Sequence, residues 1–519
     1  MNLGIYITRS ARCYPSLAAL AFSDRRYSYS EFESRTNRLA QGLVNLGMPK
    51  GTHVAIQASN RPEIVETEVA CYKGGFVRIP VNARLSTTET IYVLENSETR
   101  VLVADAAHMA PVLENLESLP SLECLLCIDR MPGNTLYYED FLEQSIDAFP
   151  DREVQEDELA VLAYSSGTTG KLKAVMQSYG NRMAMIRKAF MIPGVSIEPG
   201  DVFAHVGPVT HASGMLLMPV MYSGGCNVIL DRFDVETLLQ TIEREKVNYL
   251  FMVPAMINAV INHPRVAAYD TNSLKGIFYG AAPMSENNIR RALELFGPIL
   301  VQGYGMTETT SFTTILTARD HVEGLRDKTG NRLLSCGRPI FETEIRLVDE
   351  QGNRVATGET GEIIARGPDV MKGYYKDPEL TERTIINGWI HSGDMAKEDQ
   401  QGYIYIVDRK SETVISGGFN VYPSEVEQAL CSHPSVSEAC VIGIPDDKWG
   451  EAVKAVIVLR EGASATQEEL IDHCRKFLAG YKKPGSIDFV DSLPKNPNGK
   501  IARRAIKEKY WTAGTRKVN

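Results

Sequence analysis

The sequence predicts an α/β protein: a large N-terminal domain of helix-covered β-sheets, residues 1–408, and a small α+β C-terminal domain, residues 409–519. Three observations predict it. The chain has 519 residues, more than one ordinary hydrophobic core encloses. Its first third alternates helical and strand patterns, as sheets covered by helices require. Its last ~110 residues, an ordinary domain length, carry a complete pattern of helices and strands of their own.

In chain order, Ser30 and Glu33 read as a capping box, and Phe32, Leu39, Leu43 and Leu46 then share one helical face. Gly47 and Pro49 stop that helix. His53 to Ile56 reads as a strand, and Pro62 opens a helix. Ser86 and Glu89 form a second capping box before TIYVLENSE, and RVLVAD follows as a strand. Near the C-terminus the strand GYIYIVD meets charged residues at Val407 to Ser411, where the domain junction is expected. SEVEQALCSH and TQEELIDHCRKFL read as helices, EACVIGI, EAVKAVIVL and SIDFVDSL as strands, and a basic helix ends the chain. No repeat of solenoid length is present.

With 65 acidic against 55 basic residues and no long basic block, a nucleic-acid-binding surface is not expected. The nine cysteines are scattered and odd in number, which suits a reduced compartment. Cys124 and Cys127 form a lone CxxC inside an apolar run and read as buried packing. No stretch reaches the ~18 apolar residues of a membrane span, and the N-terminus has no signal-peptide core. Lys517-Val518-Asn519 is not a peroxisomal ending. A soluble, cytoplasmic protein without a membrane partner is expected.

The strongest local signal is Tyr164-Ser165-Ser166-Gly167-Thr168-Thr169-Gly170-Lys171-Leu172-Lys173, between the apolar run LAVLA and the extended run KAVMQS. Two glycines, four hydroxyl residues and two lysines supply backbone N–H donors, O–H donors and positive charge with little bulk, as polyphosphate oxygens need. A Walker loop requires four residues between its glycine and Gly-Lys, then Ser or Thr and a helix. Here two residues separate Gly167 from Gly170, and Leu172 and a strand pattern follow.

This loop resembles the signature of the adenylate-forming superfamily of acyl- and aryl-CoA synthetases, peptide-synthetase adenylation domains and beetle luciferases. Further segments resemble that family's motifs in order: PVTHASG with His211; Gly280-Ala281-Ala282-Pro283; Tyr304-Gly305-Met306-Thr307-Glu308; His391 to Asp394; Asp408-Arg409-Lys410; SGGFNVYPSEVE; and Pro494 to Ile501. The resemblance implies an enzyme that joins a small-molecule carboxylic acid to AMP, with ATP and Mg2+, then transfers the acyl group. Lys500 would contact the acid's carboxylate and the α-phosphate, Thr307 would donate to the α-phosphate, and Glu308 would hold magnesium. Ser165 to Gly170 and Lys173 would bind the ATP phosphates. Tyr304, Gly305 and Gly280 to Pro283 would flank adenine, and Asp394 and Arg409 would contact the ribose.

His211, Phe278 and Gly303 would line an acyl pocket suited to a medium-sized apolar or cyclic acid. Gly417 and Gly418 would border the acceptor's tunnel. The small domain would be mobile, pivoting at Ser411, where Asp or Lys is usual. Leu172, Ala174 and Tyr179 also depart from the family pattern. The C-terminal text is similar to acyl-CoA synthetases, which makes CoA the leading acceptor. Amide ligation to an amino acid, as in ligases of the coronafacic acid type, loading of a carrier-protein thiol, and a non-catalytic nucleotide-binding regulator are the alternatives.

Overall fold

The computed structural model describes residues 2–150, 152–166, 172–327, 332–446, 448–495 and 501–511. Gly167, Thr168, Thr169, Gly170 and Lys500 lie outside the described residues. Backbone packing divides the chain into two units, Met1–Ile345 with Ala365–Ile390, and Arg346–Ile364 with His391–Asn519.

Among its described residues the first unit holds an eight-stranded and a nine-stranded sheet. The eight-stranded sheet has the parallel strands Val77–Pro80, His53–Gln57, Val101–Ala104 and Cys124–Cys127 beside an antiparallel hairpin, Leu159–Ser166 with Leu172–Ser178. The parallel strands are short, largely apolar runs buried on both faces, as parallel strands under helices must be. The nine-stranded sheet sets Tyr249–Met252, Gly276–Gly280 and Leu300–Gly305 side by side in parallel, then Phe312–Leu316 antiparallel. In such sheets ligands gather at the carboxyl ends of the strands. Gly280 pairs with Gly303 there, so the Gly-Ala-Ala-Pro and Tyr-Gly-Met-Thr-Glu segments leave adjacent strand ends.

The first helix of the alternating region runs Tyr29–Asn45 and is capped by Ser28, whose hydroxyl accepts from the Glu31 N–H. The capping box expected at Ser30 and Glu33 is therefore corrected: the cap lies two residues earlier, and the Glu33 carboxylate instead takes the Lys73 ammonium at 2.7 Å. Phe32, Leu39 and Leu43 are buried, whereas Leu46 lies past the helix end and is exposed. Gly47 turns the chain with φ +80°. The reciprocal box at Ser86 and Glu89 forms as expected. Cys124 and Cys127, three apart on one strand, point to opposite sheet faces and join different core clusters. Burial pushes the Cys124 thiol up to about 11 and raises Cys127 as well.

Two core histidines make stability depend on pH. His205 sits between the Ser213 carbonyl, at 2.7 Å, and Asn227, at 2.8 Å. His321 contacts the Thr317 carbonyl and the Tyr279 hydroxyl. Burial pushes each imidazole down to about 4, against ~6.5 in the unfolded chain. Between those values only the unfolded state binds the proton. Stability is thus full above pH 6.5 and falls on acidification toward pH 4, by about 2 kcal/mol per histidine at pH 5. Urea midpoints measured from pH 7.5 to 4.5 check this; a midpoint constant over that range would contradict it.

In the second unit, Asp394 to Glu398 pairs antiparallel with Ile404–Arg409. A further sheet joins Phe419–Val421, Val414–Ser416, Gly450–Leu459 and Val436–Asp446, and Ser486–Phe489 pairs with the long central strand. Helices Pro423–Cys431 and Gln467–Arg475 bury Val426, Leu430 and Leu470 on one face, and Ile506 covers Cys440, Ile442 and Val456 on the other. The junction expected after residue 408 falls inside this unit, where the Asp408 carboxylate accepts from the Ser424 N–H at 2.7 Å. No helix among the described residues is long and apolar enough to cross a membrane.

Candidate active site

The strands on either side of the expected phosphate segment, Leu159–Ser166 and Leu172–Ser178, pair antiparallel. Ser165 pairs directly with Lys173. Because strand side chains alternate, Lys173, Val175 and Gln177 share one face, while Leu172, Ala174 and Met176 pack into the core on the other. The departure at Ala174 is thereby accommodated: its methyl is buried in a regular strand. Tyr179, a further departure in this region, opens helix Tyr179–Phe190, whose capping box is Ser178 with Asn181.

The face that carries Lys173 meets the segment 307–309. Gln177 Nε2 donates to the Thr307 carbonyl at 3.0 Å. A strap at residues 368–374 runs along the same hairpin, with Gly373 opposite Met176 and Tyr374 opposite Val175. The Tyr374 hydroxyl donates to Glu308 Oε1 at 2.9 Å, and Lys173 Nζ lies 5.5 Å from the centre of the Tyr374 ring. Burial, reinforced by the adjacent Glu308 carboxylate, raises the Tyr374 pKa, so the phenol stays a donor. Glu308 Oε2 has no partner among the described residues. One hard carboxylate oxygen left without a partner among the described residues suits a magnesium ion that takes its other ligands from phosphate and water.

The segments expected to flank adenine are shaped by close approaches. A Cβ on Gly280 would sit 2.2 Å from the Gly303 carbonyl oxygen, and one on Gly303 would sit 2.2 Å from the Phe312 ring. Both positions therefore exclude a side chain. Ala281, the next residue, holds φ +65°, and Thr310, just past Glu308, holds φ +57°. Left-handed backbone at non-glycine residues is costly and clusters at functional sites. Tyr304 and Gly305 end the strand Leu300–Gly305, and Pro283 follows Ala281 and Ala282 off the neighbouring strand.

His211 lies half-buried before the turn Ala212–Leu216. Burial, with Arg78 and Arg84 adding to it, holds its imidazole below the ordinary range, hence neutral at pH 7. Phe278 is almost fully buried, its ring 6.2 Å from Phe203 and 6.3 Å from Tyr249.

In the second unit, Arg409 Nε contacts the nearly buried Asp394 carboxylate at 2.5 Å across the strand pair. Lys410 pairs with Glu362 at 2.9 Å, and Ser411 sits in the single turn Lys410–Glu412. Gly417 and Gly418 have φ +59° and +82°. A Cβ on Gly417 would meet the Trp449 ring at 2.6 Å. Sequence reasoning missed Gln177 and Tyr374. The alternation in LKAVMQS carries enough signal to find Gln177, which shares the face of Lys173. Nothing local marks Tyr374, which lies 66 residues from Glu308.

Residues 7–375 match the AMP-binding enzyme family, and residues 425–500 match the AMP-binding enzyme C-terminal domain. The chain belongs to the AMP-binding enzyme family. Like other members of this adenylate-forming group, it is an ATP-dependent, AMP-forming ligase. The chain is 36% identical over 511 residues to a feruloyl-CoA synthase from an Amycolatopsis species, covering 98% of this chain and 99% of the relative. Among solved structures it resembles the amide bond synthetase McbA from Marinactinospora thermotolerans, at 27% identity and TM-score 0.87, covering 98% of this chain and all of that one. It also resembles o-succinylbenzoate CoA synthetase from Bacillus subtilis, solved with its acyl-adenylate, at 31% identity, TM-score 0.84 and 97% coverage of each chain. That enzyme has also been solved with ATP and a magnesium ion.

Proposed function

We propose that this ligase is an acyl-CoA synthetase that activates a medium-sized apolar or cyclic acid with ATP and magnesium and transfers the acyl group to CoA. The observation that supports the reading is the Glu308 carboxylate, held by Tyr374, whose ring also faces Lys173 at the end of the expected phosphate segment. In the first step an oxygen of the acid attacks the α-phosphorus of ATP. The bond from that phosphorus to the pyrophosphate oxygen breaks, and pyrophosphate leaves with the electron pair. Two anions approach one another, so fixed donors and positive charge are needed where charge accumulates.

Lys500 is assigned to the acid carboxylate and the α-phosphate, with the Thr307 hydroxyl donating to the same phosphate. Ser165 to Gly170 and Lys173 are assigned to the terminal phosphates. Glu308 would hold magnesium, which would supply positive charge to the leaving pyrophosphate. Tyr304, Gly305 and Gly280 to Pro283 take adenine, and Asp394 and Arg409 take the ribose. His211, Phe278 and Gly303 are assigned to the acyl pocket, where a neutral His211 suits an apolar acid.

In the second step the CoA sulfur attacks the acyl carbon. A C–S bond forms, the bond to AMP oxygen breaks, and the thiol proton passes to solvent. CoA is supported by the long similarity to a named CoA synthase. It is also supported by a surface beside Gly417 and Gly418. There Trp449 and Phe419 are exposed, Lys448 Nζ lies 4.7 Å from the Trp449 ring, and Phe419 lies 4.8 Å from Tyr481. Exposed rings and lysines suit adenine stacking and phosphate contact. Ser411 is assigned as the pivot between the two steps, with the C-terminal domain from residue 409 moving about it.

A second reading, amide formation with an amine, is favoured by the likeness to the amide bond synthetase over the whole chain. Incubating the enzyme with ATP, a panel of aryl and aliphatic acids, and either CoA or mixed amino acids separates the two by product mass. A thioester with CoA is expected. An amide in the amine arm, with no thioester from the same acid, would overturn CoA as acceptor.

A further inference from the structure

Glu308 stands on a turn that its own sequence has little reason to hold. The segment is one short turn, Thr307–Thr309, followed at once by Thr310 in left-handed backbone. A β-branched residue adopts that conformation only where the surroundings over-determine it. Here the strap supplies the constraint. The Asp369 carbonyl accepts from Thr310 Oγ1 at 2.7 Å, and Asp369 Oδ2 accepts from Ser311 Oγ at 3.2 Å. The Met371 N–H donates to the Glu308 carbonyl at 2.8 Å, and Tyr374 donates to the Glu308 carboxylate.

The strap is pinned in turn by helix Tyr179–Phe190. The Asn181 amide donates to the Pro368 carbonyl at 2.8 Å and to the Val370 carbonyl at 2.9 Å, on either side of Asp369. One end of the helix away, Lys188 Nζ donates to Asp369 Oδ2 at 2.5 Å, with both side chains 1% exposed. Lys188 also donates to Thr343 Oγ1 at 2.5 Å. Burial lowers the lysine's pKa and raises the aspartate's, each opposed by the attraction of its partner. A buried ion pair adds little stability over a well-packed apolar pair. Its usefulness lies in fixing one arrangement. The helix follows directly on the strand that carries Lys173 and Gln177, so a single element holds the phosphate hairpin and, through the ion pair, the carboxylate turn.

We propose that Lys188 and Asp369 are positioning residues for adenylation: through Thr310, Ser311 and the strap they hold the Glu308 carboxylate in register with Lys173. The proposal rests on the assignment of Glu308 as the magnesium ligand. Neither residue touches substrate; each acts through the turn it braces.

Full-length T310V, D369N and K188M are compared with K188R and E308Q by calorimetric ATP binding at stepped magnesium concentrations, with pyrophosphate exchange and thermal melting alongside. Supporting residues around a metal ligand typically carry tenfold or more in metal affinity. The magnesium concentration for half-maximal ATP binding is therefore expected to rise about tenfold in T310V and D369N, with exchange slowed in parallel and K188R partly restoring what K188M loses. T310V leaves the ion pair intact, so it reports even where K188M fails to fold. If E308Q shifts the magnesium requirement while T310V and D369N lower only the melting temperature, the positioning role is overturned and the Glu308 assignment stands. If E308Q itself leaves the requirement unchanged, the Glu308 assignment fails and the positioning role falls with it.

Discussion

Lys500→Ala is expected to slow acyl-adenylate formation roughly 10²- to 10³-fold, the range for losing one charge-stabilising group from a transition state. Transfer of the acyl group from a supplied adenylate should continue near its original rate. The asymmetry follows from where charge develops. Adenylation brings a carboxylate against a phosphate, and an ammonium between them is worth most in that transition state. Transfer begins from an anhydride whose carboxylate charge is already gone. Lysine suits this task as a compact point charge on a flexible stem. The paired stems Lys495 and Ile501 bracket the segment that carries it, and Ala502 N–H returns to the Pro494 carbonyl at 2.7 Å. The check is ATP–pyrophosphate exchange in one arm and CoA-dependent consumption of synthetic acyl-adenylate in the other. Equal losses in both arms would contradict the assignment.

Glu68→Ala is expected to destabilise the first unit by about 3–5 kcal/mol, the cost of breaking a buried charge pair from one side. Glu68 belongs to helix Pro62–Gly74, every residue of which is buried. Its carboxylate accepts from Arg78, from Arg182 at 3.0 Å and from the Tyr72 hydroxyl at 2.9 Å. The side chains of both arginines are under 10% exposed. Removing the carboxylate therefore leaves two guanidinium groups without their shared counter-charge in a dry interior. The exposed pair Arg25–Glu31, both side chains over 40% accessible, supplies the contrast: Arg25→Ala should cost no more than about 1 kcal/mol. Replacing Glu68, Arg78 and Arg182 together by Met, Met and Leu should recover most of the loss, since apolar packing substitutes for a buried ionic cluster. Urea unfolding followed by circular dichroism measures all three. A Glu68→Ala midpoint matching that of Arg25→Ala would refute the argument.

The elements most legible in the sequence are those whose cause is local. Ser86 and Glu89 lie three residues apart and satisfy each other's backbone, so their pattern is enough. Ser30 and Glu33 have the same spacing and mislead, because Ser28 also suits a cap and Lys73, forty residues away, claims Glu33. The strands on either side of the expected phosphate segment, Leu159–Ser166 and Leu172–Ser178, were legible for a related reason, since each is a short extended run in the sequence.

The bracing of that site was not legible. Tyr374 reaches Glu308, and Lys188 reaches Asp369, across 66 and 181 residues. A buried lysine reads in sequence like any surface lysine, and a tyrosine in a strap reads like a core residue. Phe278 shows the same limit, since strand alternation marks it as inward without saying which rings it meets.

The sequence by itself determined the class of fold, the order of the motifs and the family they belong to. Each of these rests on periodicity and short-range spacing, which the covalent chain enforces directly. Only the tertiary structure decided which side chains brace the Glu308 turn and which buried charges neutralise one another. Those pairings depend on how two sheets and the helices between them pack, and the favourable partner for a buried charge is whichever opposite charge the fold delivers within hydrogen-bonding distance.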